Sequence, residues 1–371
     1  MGLSRPSLRL VVSAAALAVL ALVVLTGWRD LWHLSQVQAP GADYSCFWAG
    51  VKAALSRPEK LYDFAYVTGL QGWPLGPANL RPYIYPPSAL FVFAPFALLP
   101  YWVGFALWVL LTGALFAWAG VKAGAPWFLI LAPPALLIFN CGQVTFLVGG
   151  LTIAAFALRD RSTLAGVLLG LAAVVKPQLV LLAPIALVAE GRWRTLVVMG
   201  ITGLVVCAAA AAVFGLQPWF DWLGALPRFH QVIFNHPGLV ADAITPYAFL
   251  QHRGLRGAWA YALAPVAAAV VWFAFRKQVA LPDRLIAFFG AGLMLTPYAM
   301  NYELALFAPA VAAYLMRRKE PLWPLFVPLA AAHYNLPWTF ASVVPVLLLP
   351  AAGYASRRLE AAGSVRPIFK S

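Results

Sequence analysis

The chain has 371 residues, of which 63% are hydrophobic and only 10% charged, with a mean hydropathy of +0.81 and a net charge of +14. Apolar runs recur along its whole length, which excludes a soluble globular fold, and their continuity in Leu, Ala and Val excludes the alternating polarity of an outer-membrane barrel. The basic residues fall in short clusters between apolar runs, so the positive charge reads as an orientation signal and not as a nucleic-acid face.

Taken in order, Arg5 and Arg9 precede an apolar run from Leu10 to Trp28 that is long enough to span and lacks a clear small-residue cleavage site. It reads as a first transmembrane helix. A first outer loop follows over residues 29–87, and its stretch from Gly41 to Pro87 carries Asp43, Lys52, Arg57, Glu59, Lys60, Asp63 and Arg81 among aromatics. Helical spacing of Val51, Ala54, Leu55 and Leu61, then Phe64, Tyr66 and Leu70, predicts short amphipathic helices broken at Pro58 and lying along the bilayer surface. The apolar stretch 88–121, interrupted by Pro95 and Pro100, reads as one surface-dipping segment plus one span or as a hairpin of two short spans.

Beyond it, apolar runs alternate with two kinds of break. Arginine clusters stand at Arg159-Asp160-Arg161, Arg192-Trp193-Arg194, Arg276-Lys277, Arg317-Arg318-Lys319 and Arg357-Arg358. Polar breaks stand at Asn140-Cys141-Gly142-Gln143, at Lys176-Pro177-Gln178, in a second outer loop over 215–257, at Thr296 to Glu303 and at His333-Tyr334-Asn335. With the arginines in the cytoplasm, both termini are cytoplasmic and every polar break shares the outer face with Asp43. Several runs are only about a dozen residues long, short of the roughly 20 needed to span, so their breaks lie partly within the membrane. A Lys or Glu there costs on the order of 2.5 to 3.5 kcal/mol, and Lys176 and Glu303 therefore need a polar cavity or a partner.

The residues around these breaks resemble a known family. Asp43 in GADYSCFWAG, Leu61-Tyr62-Asp63, Tyr85-Pro86-Pro87 before an apolar segment, N-x-G-Q at Asn140 to Gln143 and G-L-x-x-x-x-K-P around Lys176 look like glycosyltransferase family 87. These are polyprenyl-phosphate-mannose-dependent, α-mannosyltransferase-like enzymes of the GT-C membrane superfamily. The resemblance implies an all-α polytopic protein forming one integral membrane domain over 1–371, a bundle of roughly ten to twelve membrane helices with outer surface helices after the first span. It implies a hexosyltransferase of the cytoplasmic membrane, with mannose as the default sugar, a polyprenyl-phosphate donor, and a lipid or glycan acceptor of the cell envelope. The acidic residue of the first outer loop, the expected catalytic base, maps onto Asp43. The chain departs from members that carry histidines after a Ser-Pro pair, since Tyr302 and Glu303 stand at those places.

Chemistry read from the residues agrees with that expectation. Transfer from a lipid-phosphate sugar needs a carboxylate at the acceptor hydroxyl and cations at the leaving phosphate. Asp43 is the candidate base, while Lys176, Arg81, Asn140, Gln143, Gln178, Tyr302 and Glu303 are candidates for donor phosphate or sugar. No cofactor or metal is expected, because no Asp-x-Asp pair or phosphate-cradling Gly-rich loop is present, and no nucleic acid is expected as a partner. Structural roles stand beside these: Asp43 as a helix cap, Lys176 as an interface anchor, Arg81 at lipid headgroups, Asn140 and Gln143 between helices, Glu303 as the partner of Lys176, and Tyr302 as a belt aromatic. Cys46, Cys141 and Cys207 read as small hydrophobes, and His230, His236 and His252 as loop residues without metal spacing. The rival class is a transporter or lipid flippase with an intramembrane polar pathway.

Overall fold

The computed structural model describes residues 40–75, 81–128, 133–235, 243–277 and 279–317. The expected first span, His236, the break at His333 and the Arg357 cluster lie outside the described residues. Within them the chain is helical, with fourteen α-helices and short 3-10 turns between them. The first four are α1 (Tyr44–Ser56), α2 (Phe64–Leu75), α3 (Leu90–Ala97) and α4 (Tyr101–Lys122). They are followed by α5 (Pro133–Cys141), α6 (Thr145–Ala157), α7 (Ser162–Val175), α8 (Ala183–Glu190) and α9 (Trp193–Phe214). The last five are α10 (Gln217–Phe234), α11 (Pro246–His252), α12 (Ala264–Arg276), α13 (Leu281–Leu295) and α14 (Phe307–Arg317).

Three segments among the described residues are long and apolar enough to cross a membrane: Tyr101–Lys122, Trp193–Phe214 and Gly257–Arg276. The stretch 88–121 therefore resolves into the short helix α3 and the single long helix α4. Its neighbours α6 and α7 are shorter apolar helices; α6 gives way to the charged turn Arg159-Asp160-Arg161, and α7 stops at a proline. A residue before proline is pushed out of the helical region. Accordingly α7 ends at Val175, with Lys176 at φ −142° before Pro177, and α13 ends at Leu295, with Thr296 extended before Pro297. The same device breaks the first loop at Arg57, where φ is −148° before Pro58.

Two expectations change. Helix α1 is not a surface helix: Tyr44, Phe47, Ala49, Val51 and Ala53 are buried, and only its end around Lys52, Leu55 and Ser56 is open. Phe47 stacks on Phe93 at 4.2 Å, and Trp108 meets both rings edge-on at 5.6 Å, so α1 belongs to the core with α3 and α4. The second outer loop is largely helical, containing α10 and α11. Pro218 lies in the first turn of α10, where its missing N–H costs nothing, and Pro227 sits inside the helix.

Helix α9 packs along α7 through Gly166 and Gly170, where an added Cβ would lie 2.7 Å from Thr195 O and 2.6 Å from Thr202 Cβ. The small-x-x-x-small spacing lets the two backbones touch, which is how helices associate where burial from water drives little.

Polar groups gather at the two ends of α7 and α13. At one end, Glu190 of α8 binds Arg159 after α6 (3.1 Å), Arg192 before α9 (3.3 Å) and Arg284 of α13. At the other end stand Lys176, Thr296 and Glu303. Helix α7 has 14 residues and α13 has 15, so about 20 Å separates the clusters at ~1.5 Å per residue. That is less than the roughly 30 Å hydrocarbon thickness, so the two clusters cannot both lie at the membrane surface.

Candidate active site

Helix α5 builds the site by the way it ends. Gly142, with φ +76°, takes the left-handed position after the helix and returns its N–H to Ile138 O at 2.8 Å. Three carbonyls that follow are taken from outside: Asn140 O by Gly41 N (2.7 Å), Cys141 O by Asp43 N (2.9 Å) and Gly142 O by the Trp108 indole (2.8 Å). The start of α1 is thereby fastened to the end of α5. Asp43 and Gln143, 100 positions apart, come side by side.

Gln143 is 6% exposed and fully engaged. Its Oε1 accepts from Val144 N and from the Tyr85 hydroxyl, both at 2.8 Å. A backbone N–H can only donate, so this fixes the orientation of the amide. Its Nε2 then donates to Asp43 Oδ2 at 3.1 Å and to the Tyr302 hydroxyl at 2.9 Å. On the other side Arg81 Nε lies 3.4 Å from Asp43 Oδ1. The arginine is held by buried Gln71 of α2, which accepts from Arg81 N at 2.8 Å and donates to Arg81 O. Ser45 also donates to Gln71 Oε1, at 3.0 Å, which ties α1 into the same clamp.

Asp43 occupies the N-cap position of α1, yet its side chain makes no capping bond. Its carboxylate faces Gln143 and Arg81 and keeps 16% of its surface open. Asp63 behaves differently. It accepts from Tyr66 N (3.2 Å) at the start of α2 and pairs with Lys60 (2.9 Å). The hydrogen bond from Lys60 holds the Asp63 carboxyl below its usual range, and its oxygens are committed to local structure.

Lys176 and Glu303 form a buried ion pair, with Lys176 Nζ 5.9 Å from the centroid of the Tyr302 ring. Glu303 also accepts from Met300 N at 3.1 Å. The segment that carries Tyr302 and Glu303 is braced by a β-bridge from Ala243 to Met300 and by Ile244 N to Ala299 O at 2.8 Å.

Of the residues expected from sequence, the fold joins Asp43, Arg81, Gln143 and Tyr302 directly and brings the Lys176–Glu303 pair against Tyr302. Asn140 contributes its backbone carbonyl, and its half-buried side chain is not hydrogen-bonded to the group. Gln178, half-buried in the turn after Lys176, stands apart in the same way. Sequence reasoning did not single out Gln71, and it quoted Tyr85 only as part of a motif. The Tyr-Pro-Pro triplet was the signal for Tyr85, whereas a lone glutamine in an apolar helix gave none for Gln71. Among the described residues, no group of three His, Cys, Asp or Glu stands ready to hold a metal ion.

Comparison with curated proteins and with solved structures gives no match. The family pattern of glycosyltransferase family 87 matches residues 83–297, a span that takes in Tyr85, Gln143 and Lys176, leaves Arg81, Tyr302 and Glu303 just outside, and begins well after Asp43. A match over more than half of the chain makes this protein a member of glycosyltransferase family 87.

Proposed function

We propose that this glycosyltransferase moves a sugar, mannose by family default, from a polyprenyl-phosphate carrier to a lipid or glycan acceptor on the outer face of the membrane, with Asp43 as general base. The observation that carries the reading is the Asp43 carboxylate. It is withdrawn from helix capping, gripped by a fully engaged glutamine, and still partly open. The acceptor oxygen attacks the anomeric carbon, and the bond from that carbon to the phosphate oxygen breaks with its electron pair. The hydroxyl proton passes to Asp43, and polyprenyl phosphate leaves.

Gln143 and Tyr85 act as positioning residues, since Gln143 holds Oδ2 of Asp43 and Tyr85 fixes the Gln143 amide. Arg81 is the more open cation, at 34% against 8% for Lys176, and it is the better contact for the leaving phosphate. Lys176 is engaged by Glu303 and serves the site by holding Tyr302 in place. The arginine cluster at the far ends of α7 and α13 supports an outward-facing site by the positive-inside rule. Family membership speaks against the transporter reading.

The test supplies purified protein in detergent with radiolabelled polyprenyl-phosphate sugar and a lipid extract as acceptor. The expected result is label in a new lipid or glycan product, with one free polyprenyl phosphate released per sugar moved. Transfer from a nucleotide sugar and none from the lipid-carried donor contradicts the proposal.

A further inference from the structure

Helix α10 divides into three faces, and among the described residues only one of them is packed against the protein. At about 3.6 residues per turn, Pro218, Ala225 and Ile233 line its buried face, with Trp222 and Phe229 half-covered beside them. Gln217, Asp221, Arg228 and Asn235 form a polar stripe. The third face is apolar and open: Leu216 and Phe220 are each 65% exposed, Leu223 56% and Leu226 39%. A helix between protein and water needs two faces. A third, apolar one needs an apolar medium.

The preceding helix shows which medium it is. Helix α9 is long enough to span and exposes Val197, Ile201, Leu204, Val205 and Val213. In a membrane protein that surface faces lipid. Gly215, at φ +86°, turns the chain directly from α9 into α10, so the open face of α10 continues the lipid-facing surface of α9 with no segment between them. Although α10 is 18 residues long, it is not among the helices apolar enough to cross.

We infer that α10 lies flat in the leaflet on the side of the candidate site, its Leu216–Phe220–Leu223 stripe sunk into the boundary between headgroups and acyl chains and its polar stripe in water. The helix is bolted to the site's framework. The Trp222 indole donates to Ile84 O at 2.9 Å, one residue before the Tyr85 that holds Gln143, and Arg228 stacks over Phe64 at 5.7 Å. The inference rests on the membrane reading of the chain and not on the donor or the base proposed above.

Depth-dependent fluorescence quenching tests it. In a Cys207→Ala background, where the remaining thiols Cys46 and Cys141 are buried, single variants Phe220→Cys, Leu223→Cys, Gln217→Cys and Asn235→Cys are labelled with a small environment-sensitive dye. The labelled protein is reconstituted into phosphatidylcholine vesicles carrying nitroxides at the headgroup, at a shallow acyl position or near the chain end. Labels at Phe220 and Leu223 should be quenched several-fold more by the shallow acyl nitroxide than labels at Gln217 and Asn235. Equal quenching on the two stripes overturns the inference. So does strongest quenching by the chain-end nitroxide, which means a spanning helix. Insensitivity to every lipid nitroxide also overturns it, because a second copy or another segment of the chain then covers the stripe.

Discussion

Lys176 and Glu303 were each costly to place in a membrane by themselves, and the structure shows why both are tolerated: each is the other's partner. Removing one member of a buried pair leaves an uncompensated charge, whereas replacing both is close to neutral. Lys176→Met should therefore lower stability by about 3–5 kcal/mol, and Lys176→Met with Glu303→Leu should recover most of that loss. Thermal unfolding in detergent followed by tryptophan fluorescence checks it, and additive losses in the double variant contradict the pair. The identity of these residues was legible because charges in apolar runs stand out. Their pairing was one of two roles the sequence left open, because 127 positions separate them and the contact exists only once α7 and α13 have both stopped at prolines. Asp43 was legible from its sequence context, whereas Gln71 was hidden among apolar neighbours and is defined only by the bonds it makes to the backbone of Arg81 and to Ser45.

Among elements, the end of α5 carries the most consequence, because its last carbonyls position Asp43 on one side and Gln143 on the other. Gly142 permits this twice over: its φ is left-handed, and a Cβ there would stand 2.7 Å from Tyr44 Cβ. Gly142→Ala should cost about 1–3 kcal/mol for the backbone strain alone. It should also lower transfer more steeply than it lowers the melting temperature, because the strain falls between Asp43, the proposed base, and the glutamine that holds it. Equal activity per folded molecule would reduce the turn to a structural one. Sequence signals were strong for the helix ends at Pro58, Pro177 and Pro297, where steric rules act locally. They were weak for α10, whose prolines and aromatics read as a loop, and for the depth of α1, where a short apolar spacing fits a surface helix as well as a core one. Burial is decided by what packs against a helix, and for α1 that is the aromatic cluster of α3 and α4.

For the whole molecule, the arrangement is two-ended. An arginine–glutamate cluster ties α6, α8, α9 and α13 together at one end, and the carboxylate site stands at the other. If the arginine end is cytoplasmic, a membrane-impermeant thiol reagent applied to intact cells should label Glu59→Cys and spare Trp193→Cys, both in the Cys207→Ala background. Labelling of Trp193→Cys from outside reverses the orientation. The two ends were legible in the sequence because arginines and polar breaks alternate along it, but the convergence of Asp43, Gln143 and Tyr302 on one point required the fold. That convergence leads to the central claim, that Asp43 takes the acceptor's proton. The most direct measurement is single-turnover transfer from polyprenyl-phosphate sugar by Asp43→Asn, with donor binding determined on the same preparation and Asp63→Asn and Glu303→Gln alongside. Asn keeps the size and hydrogen bonding of Asp43 but takes no proton. The account predicts donor bound at near wild-type affinity with transfer abolished in Asp43→Asn and retained in Asp63→Asn, and near wild-type turnover by Asp43→Asn would contradict it.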